Sequence, residues 1–182
     1  MAKRDAGDRF YSVWATAWGP MGAVMGECGM RRVVLPHYSF DDLLQLLAWE
    51  HPSATRNDQA FGELASFARD YFNGKPADFS IIPCDLPSPA TLSGAVLRAC
   101  RSIPYGRTRS YVALAESIGR PDAAQAVAAA LGKNPVPLVA PCHRVTYADG
   151  RLGGFSAPGG VELKRRMLEL ERRAIGPIAS GH

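Results

Sequence analysis

The chain has 182 residues, 47% hydrophobic and 21% charged, which is a globular composition with length enough for one or two domains and a sizeable core. Its net charge of +4 is uneven: residues 1–85 hold 8 Lys/Arg against 11 Asp/Glu, and residues 86–182 hold 13 against 6, so the second half carries +7. No apolar run reaches the roughly 18 residues of a membrane helix, which argues against a membrane partner, and the polar start lacks the apolar stretch of a secretory leader. Cys28, Cys84, Cys100 and Cys142 are dispersed with no C-x-x-C pair, which argues against a disulfide scaffold or zinc finger and for reduced thiols in the cytoplasm.

Residues 10–17, rich in aromatic and β-branched side chains, end at the turn signal Trp18-Gly19-Pro20 and read as a strand. Residues 21–27 and 31–35 read as two more, broken at Gly29, so a small antiparallel sheet is expected. Leu43, Leu44, Leu46 and Leu47 have helical spacing over residues 41–51, with Asp41 and Asp42 in the first turn. Phe61, Leu64, Phe67, Ala68 and Tyr71 form one stripe of a second helix over 56–72, stopped by Gly74-Lys75-Pro76. Residues 79–82 suit a further strand, and the proline-rich 83–89 reads as a linker dividing domains 1–85 and 86–182.

The second half reads as helical. A helix over 91–103 stops at Pro104-Tyr105-Gly106. Ser110 caps a helix over 111–118, Gly119-Arg120-Pro121 breaks it, and Asp122 caps another over 123–131. Helix, short glycine turn, helix is a helix-turn-helix pattern, and a basic half around it fits a nucleic-acid partner. The last of these helices is almost all alanine, with Gln125 its only long polar side chain, so it can approach a narrow groove closely.

The chain is organised around Asn134-Pro-Val-Pro-Leu-Val-Ala-Pro-Cys-His-Arg-Val145. Three prolines suggest a stiff, extended lead-in to Cys142, with His143 and Arg144 directly behind it. Imidazole and guanidinium neighbours favour the thiolate, which is the nucleophilic form. Asp149-Gly150 suggests a hairpin turn, Gly153-Gly154 a mobile pair, and 156–160 a flexible loop. A last helix over 161–173 puts Leu163, Met167 and Leu170 on one face with Glu171 at its edge, so that carboxylate can point inward toward His143. Cysteine, histidine and an orienting carboxylate complete a nucleophile triad.

This segment resembles the active-site motif of the O6-alkylguanine-DNA alkyltransferases, the methylated-DNA–protein-cysteine methyltransferases. Ile103-Pro-Tyr-Gly106, Arg109-Ser-Tyr111 and the stretch from Gly153 to Ser156 are similar to family segments too, and the likeness in the first half is confined to the opening strands and Tyr71–Lys75. The resemblance implies an α/β (α+β) architecture, with a ribonuclease-H-like sheet-and-helix domain followed by a mainly helical, winged-helix-like domain. It implies a single-turnover enzyme that binds double-stranded DNA containing O6-alkylguanine, flips the lesion through the minor groove and takes the alkyl group irreversibly onto Cys142. His143, through a water, and Glu171 would help deprotonate the thiol; Tyr111 would donate to the flipped base; Asn134 would brace the turn. Ser110, Ala124, Gln125, Ala126, Arg144, Val145, Phe155 and Ser156 would form the DNA- and base-contacting set. No cofactor, no metal and no obligate protein partner are implied, and a monomer is expected. A non-repairing lesion-binding or regulatory member of the family is the alternative; such sensors lack the Cys and keep an Arg on the recognition helix.

Four departures stand out. Gln125 occupies the position of the family's usual Arg, Leu92 and Leu97 replace a common Phe and Trp, and Phe155 stands where Tyr or Gly is frequent. Cys28, His37 and Cys84 do not match the zinc ligands of some members.

Overall fold

A computed structural model describes residues 7–176. Strands β1 (Asp8–Thr16), β2 (Gly19–Gly26) and β3 (Gly29–Val34) form an antiparallel meander. A short β4 (Thr55–Arg56) adds in parallel to β1, giving the order β3-β2-β1-β4. Strand periodicity sends alternate residues to opposite faces. Val13, Val24 and Val34 meet Leu43 and Leu47 of α1 (Phe40–Glu50) on one face. A Cβ on Gly22 would lie 2.8 Å from Leu47 Cδ1, so the bare backbone lets α1 press onto β2. Trp14, Met21, Ala23 and Val33 face the other way and join Phe61, Leu64, Ala68 and Tyr71 in a core that continues through the second half to Cys142 and Met167.

The second helix begins later than the residue stripe suggests. Thr55 and Arg56 pair with β1, Asn57 caps a 3-10 turn over Asp58–Phe61, and only Gly62–Phe72 is α-helical (α2). Residues 79–82 are not a strand either. Their carbonyls are gathered by one guanidinium: Arg101 Nη2 donates to Ser80 (2.6 Å) and Ile82 (2.7 Å), with Phe79 at 3.5 Å. The connecting segment is tied to β3, with Met30 N–H donating to Pro83 and Asp85 N–H to Met30.

Thr91 caps α3 (Leu92–Arg101) and Ser110 caps α4 (Tyr111–Ser117) through the N–H of Ala113, 3.0 Å away. Gly119, at φ +71°, ends α4: its N–H donates to Glu116 and that of Arg120 to Ala115, a Schellman closure. Asp122 does not cap the next helix. It lies inside a 3-10 turn over Pro121–Ala123, and α5 (Ala124–Leu131) starts from Ala123 without a side-chain cap. Val127, Ala130 and Leu131 bury one side of α5, while Gln125, Ala126 and Ala129 face solvent. Two short parallel strands, β5 (Arg109–Ser110) and β6 (Val145–Thr146), clip the helix pair to the acceptor segment. The chain closes with α6 (Gly160–Ile175). No helix among the described residues is long and apolar enough to cross a membrane.

Candidate active site

The lead-in to Cys142 is compact rather than extended. Ala140 N–H returns to the Val136 carbonyl (2.8 Å), and Leu138 takes the left-handed conformation at φ +74°. A non-glycine residue there costs roughly 1–3 kcal/mol, and here it allows Val136, Leu138, Val139 and Ala140 all to be buried. The prolines stiffen a fold-back. The turn is docked on edge strand β3, where Val33 N–H donates to Pro135.

Asn134 staples this turn. Its Oδ1 accepts from Val136 N–H (3.0 Å), and its Nδ2 donates to the Ala140 carbonyl (2.7 Å) and to Cys142 Sγ (3.1 Å). Cys142 starts a one-turn 3-10 helix through Arg144 and is 6% exposed. Burial pushes its thiol up from 9.0, against the Asn134 hydrogen bond and the nearby Lys164 ammonium, both of which favour the thiolate. Burial thus favours the protonated thiol.

Behind it His143 is fully buried. Its Nε2 lies 2.7 Å from Glu171 Oε1 and 3.3 Å from the Tyr71 hydroxyl. Burial holds the imidazole below its ordinary 6.5 despite Glu171, so it is neutral at pH 7. A neutral ring that donates Nε2–H to a carboxylate carries its lone pair on Nδ1. That atom is buried without a protein partner among the described residues.

Glu171 has four partners. Tyr71 hydroxyl (2.8 Å), His143 and Gly106 N–H (2.9 Å) donate to it, and Arg144 donates from Nε and Nη2 at 3.0–3.2 Å. Burial alone would raise its carboxyl; His143 and Arg144 outweigh that and hold it at about 2. Arg144, expected among the DNA contacts, points inward instead. Its guanidinium is buried, bound to Glu171 and to the Ile103 carbonyl (2.8 Å), with Tyr105 beneath it at 5.6 Å.

Tyr111, expected at the base, is buried beside the thiol. A Cβ on Gly153 would sit 2.2 Å from its hydroxyl, so Gly153 gives Tyr111 room and is buried, while Gly154 beside it is exposed. The Val145 carbonyl faces Lys164 Nζ at 2.7 Å, and its N–H returns to Cys142. Ser110 uses its hydroxyl as the α4 cap, Ala124 and Phe155 are half-buried against the core, and Gln125, Ala126 and Ser156 are exposed. The Asp149-Gly150 turn closes through Gly150 N–H to Tyr147 and Tyr147 N–H to Arg151, but no hairpin flanks it, because β6 pairs in parallel with β5.

Two site residues escape sequence reasoning. Lys164 is buried, with Nζ 3.5 Å from the Tyr111 hydroxyl. It lies seven residues before Glu171 on α6, hence on the same face, which is the signal that could reveal it. Tyr71 looks like one more aromatic in a core stripe, and nothing local marks its hydroxyl. No group of three or more His, Cys, Asp or Glu side chains that could hold a metal gathers among the described residues.

The site thus joins a buried cysteine and a buried histidine–carboxylate pair to a helix-turn-helix in the basic half of the chain. Residues 91–173 match the model of the 6-O-methylguanine DNA methyltransferase DNA binding domain. The methylated-DNA–protein-cysteine methyltransferase of Mycolicibacterium paratuberculosis is 44% identical over 119 residues, 65% of this chain and 70% of that protein. The inducible enzyme of Bacillus subtilis is 41% identical over 62% of this chain and 60% of its own length. The chain belongs to the methylated-DNA–protein-cysteine methyltransferase family. The crystal structure of Mycobacterium tuberculosis OGT in complex with DNA superposes with a TM-score of 0.72 at 30% identity, covering 91% of this chain and 94% of that one. The archaeal enzyme of Pyrococcus kodakaraensis, 18% identical with a TM-score of 0.59 over 89% of this chain and 98% of its own, shares the fold.

Proposed function

We propose that this chain repairs DNA by moving an alkyl group, methyl above all, from O6-alkylguanine to Cys142, once per molecule, with O4-alkylthymine as a second substrate. The observation that carries this reading is the buried His143, bound through Nε2 to Glu171 and with Nδ1 free of protein partners among the described residues, directly after a 6%-exposed Cys142. Duplex DNA is bound through the minor groove by α4 and α5, and the lesion nucleotide leaves the stack, because a thiol this buried cannot reach a paired base.

His143 Nδ1 takes the Cys142 proton through a bridging water, and Glu171 steadies the resulting imidazolium. Asn134 and Lys164 stabilise the thiolate. Sulfur then attacks the alkyl carbon: the S–C bond forms as the C–O6 bond breaks, and the electron pair passes into the guanine. Tyr111 donates toward the base, and the proton removed from Cys142 is balanced by the one the departing guanine gains. The thioether has no leaving group, so the protein does not turn over. Carbon, proton and electron pair are all accounted for without a cofactor. Residues 1–85 and 86–182 act as a supporting and a DNA-binding domain, and the protein works as a cytoplasmic monomer.

The test is a duplex carrying O6-[methyl-3H]guanine. Wild type takes up one label per molecule; Cys142→Ser binds the duplex and takes up none. Wild type that binds the lesion and takes no label would identify instead the non-repairing lesion binder of the same family.

A further inference from the structure

The turn after the acceptor segment carries an aromatic ring that alkyl transfer does not use. Tyr147 follows β6, where the chain leaves the buried site, and is 48% exposed. It leans edge-on against buried Tyr111, with ring centroids 5.3 Å apart and planes at 61°. The Arg151 guanidinium carbon lies 5.2 Å from its centroid. Tyr111, Tyr147 and Arg151 thus form a ladder that starts beside Cys142 and ends in solvent.

The ladder is held firmly. Tyr147 N–H donates to the Arg151 carbonyl (2.9 Å), Gly150 N–H to the Tyr147 carbonyl (3.0 Å), and Thr146 Oγ1 to that same carbonyl at 3.1 Å. Asp149 accepts from Arg151 N–H (3.0 Å) and Nε (2.6 Å). A half-exposed ring adds less to the core than a buried one, so packing gives little reason to fix it there. A rigid aromatic face beside a guanidinium matches a nucleotide, whose sugar and base offer flat or apolar surface and whose phosphate offers paired acceptors. The Arg151–Asp149 pair is exposed on both sides, 76% and 54%, so a phosphate can compete for the guanidinium.

We propose that Tyr147 and Arg151 clamp the nucleotide that enters the site: the Tyr147 ring packs on the sugar–base unit where it passes Tyr111, and Arg151 takes an adjoining phosphate. The inference rests on the alkyl-transfer reading above. It gives the flipped state a hold that does not depend on α5, where Gln125 is shorter and uncharged. Tyr147 is a positioning residue; it touches no reacting atom.

The experiment compares single-turnover transfer from an O6-methylguanine duplex and from free O6-benzylguanine, which has no sugar or phosphate. Tyr147→Ala should slow the duplex reaction about tenfold, the scale of one base–aromatic contact, and lower the duplex-to-free-base rate ratio by the same factor. Tyr147→Phe should restore it, because the ring and not the hydroxyl is needed. Arg151→Ala should reduce the slope of log affinity against log salt by about 0.9, one phosphate. Equal loss on both substrates would show that Tyr147 only props Tyr111, and an unchanged duplex rate would show that no clamp exists; either overturns the inference. Wild type inert toward both substrates would overturn the alkyl-transfer reading itself, and this inference with it.

Discussion

Glu171→Gln removes one charge at the point where four groups converge. The carboxylate accepts from Tyr71, His143, Gly106 and twice over from Arg144. Glutamine keeps the shape, but its amide nitrogen brings hydrogens to a place already filled with donors, and Arg144 stays buried without a counter-charge. Breaking a buried pair in this way costs about 3–5 kcal/mol. Holding the carboxyl at about 2 instead of 4.5 corresponds to a contribution of the same order, about 3 kcal/mol in favour of the ionised folded form. Because the folded-state value is depressed, that contribution is complete above about pH 4.5 and is lost as pH falls toward 2. Urea unfolding of both proteins should show the variant less stable by about 3–5 kcal/mol at pH 7, with the gap narrowing below pH 4.5. Alkyl transfer should slow by about a hundredfold, the lower end of general-base effects. A loss under about 1 kcal/mol, the scale of an exposed pair, or a gap that does not change with pH, would refute the placing of Glu171 as an ionised pivot.

Gln125→Arg should speed repair of duplex DNA about tenfold or more, since flipping costs a few kcal/mol that an inserted guanidinium helps to offset, and should raise the duplex-to-free-base ratio in single-turnover assays; an unchanged or slower duplex rate would mean that Gln125 is not a weakened finger. Transfer should be pH-independent near neutrality and fall only below pH 6.5, because the His143 base is held under that value; an inflection at or above pH 7 would contradict a neutral buried base. Gly153→Ala should drive Tyr111 out of place, given a Cβ 2.2 Å from its hydroxyl, and cut transfer from both duplex and free base, with melting lowered by the roughly 1–3 kcal/mol of an overpacked buried site; unchanged transfer from both would contradict the placing of Tyr111.

Strands β1 to β3, the six helices (α2 with a later start) and the helix-turn-helix are legible because local patterning and packing agree there. Alternation in β1 to β3 and the Leu43–Leu47 spacing each match the face that is buried. The misses arise where a distant partner overrides the local signal. Residues 79–82 have strand composition, but Arg101 takes their carbonyls. The Asp122 cap fails because Pro121 seeds a 3-10 turn first. At the site, Cys142, His143, Asn134 and Glu171 can be read from spacing and resemblance. Arg144 cannot, since a cation in a basic half looks like a phosphate contact until Glu171 is seen to be waiting inside. Tyr71 is harder still, because its hydroxyl meets Glu171 exactly one hundred positions along the chain.

The most direct measurement of the central claim is the intact mass of the wild-type protein after incubation with excess O6-methylguanine duplex, followed by peptide mapping. The account predicts a gain of one methyl group per molecule, confined to the peptide containing Cys142, with no further gain on longer incubation. A methyl group on Cys28, Cys84 or Cys100, or consumption of more than one equivalent of lesion per protein, would contradict it.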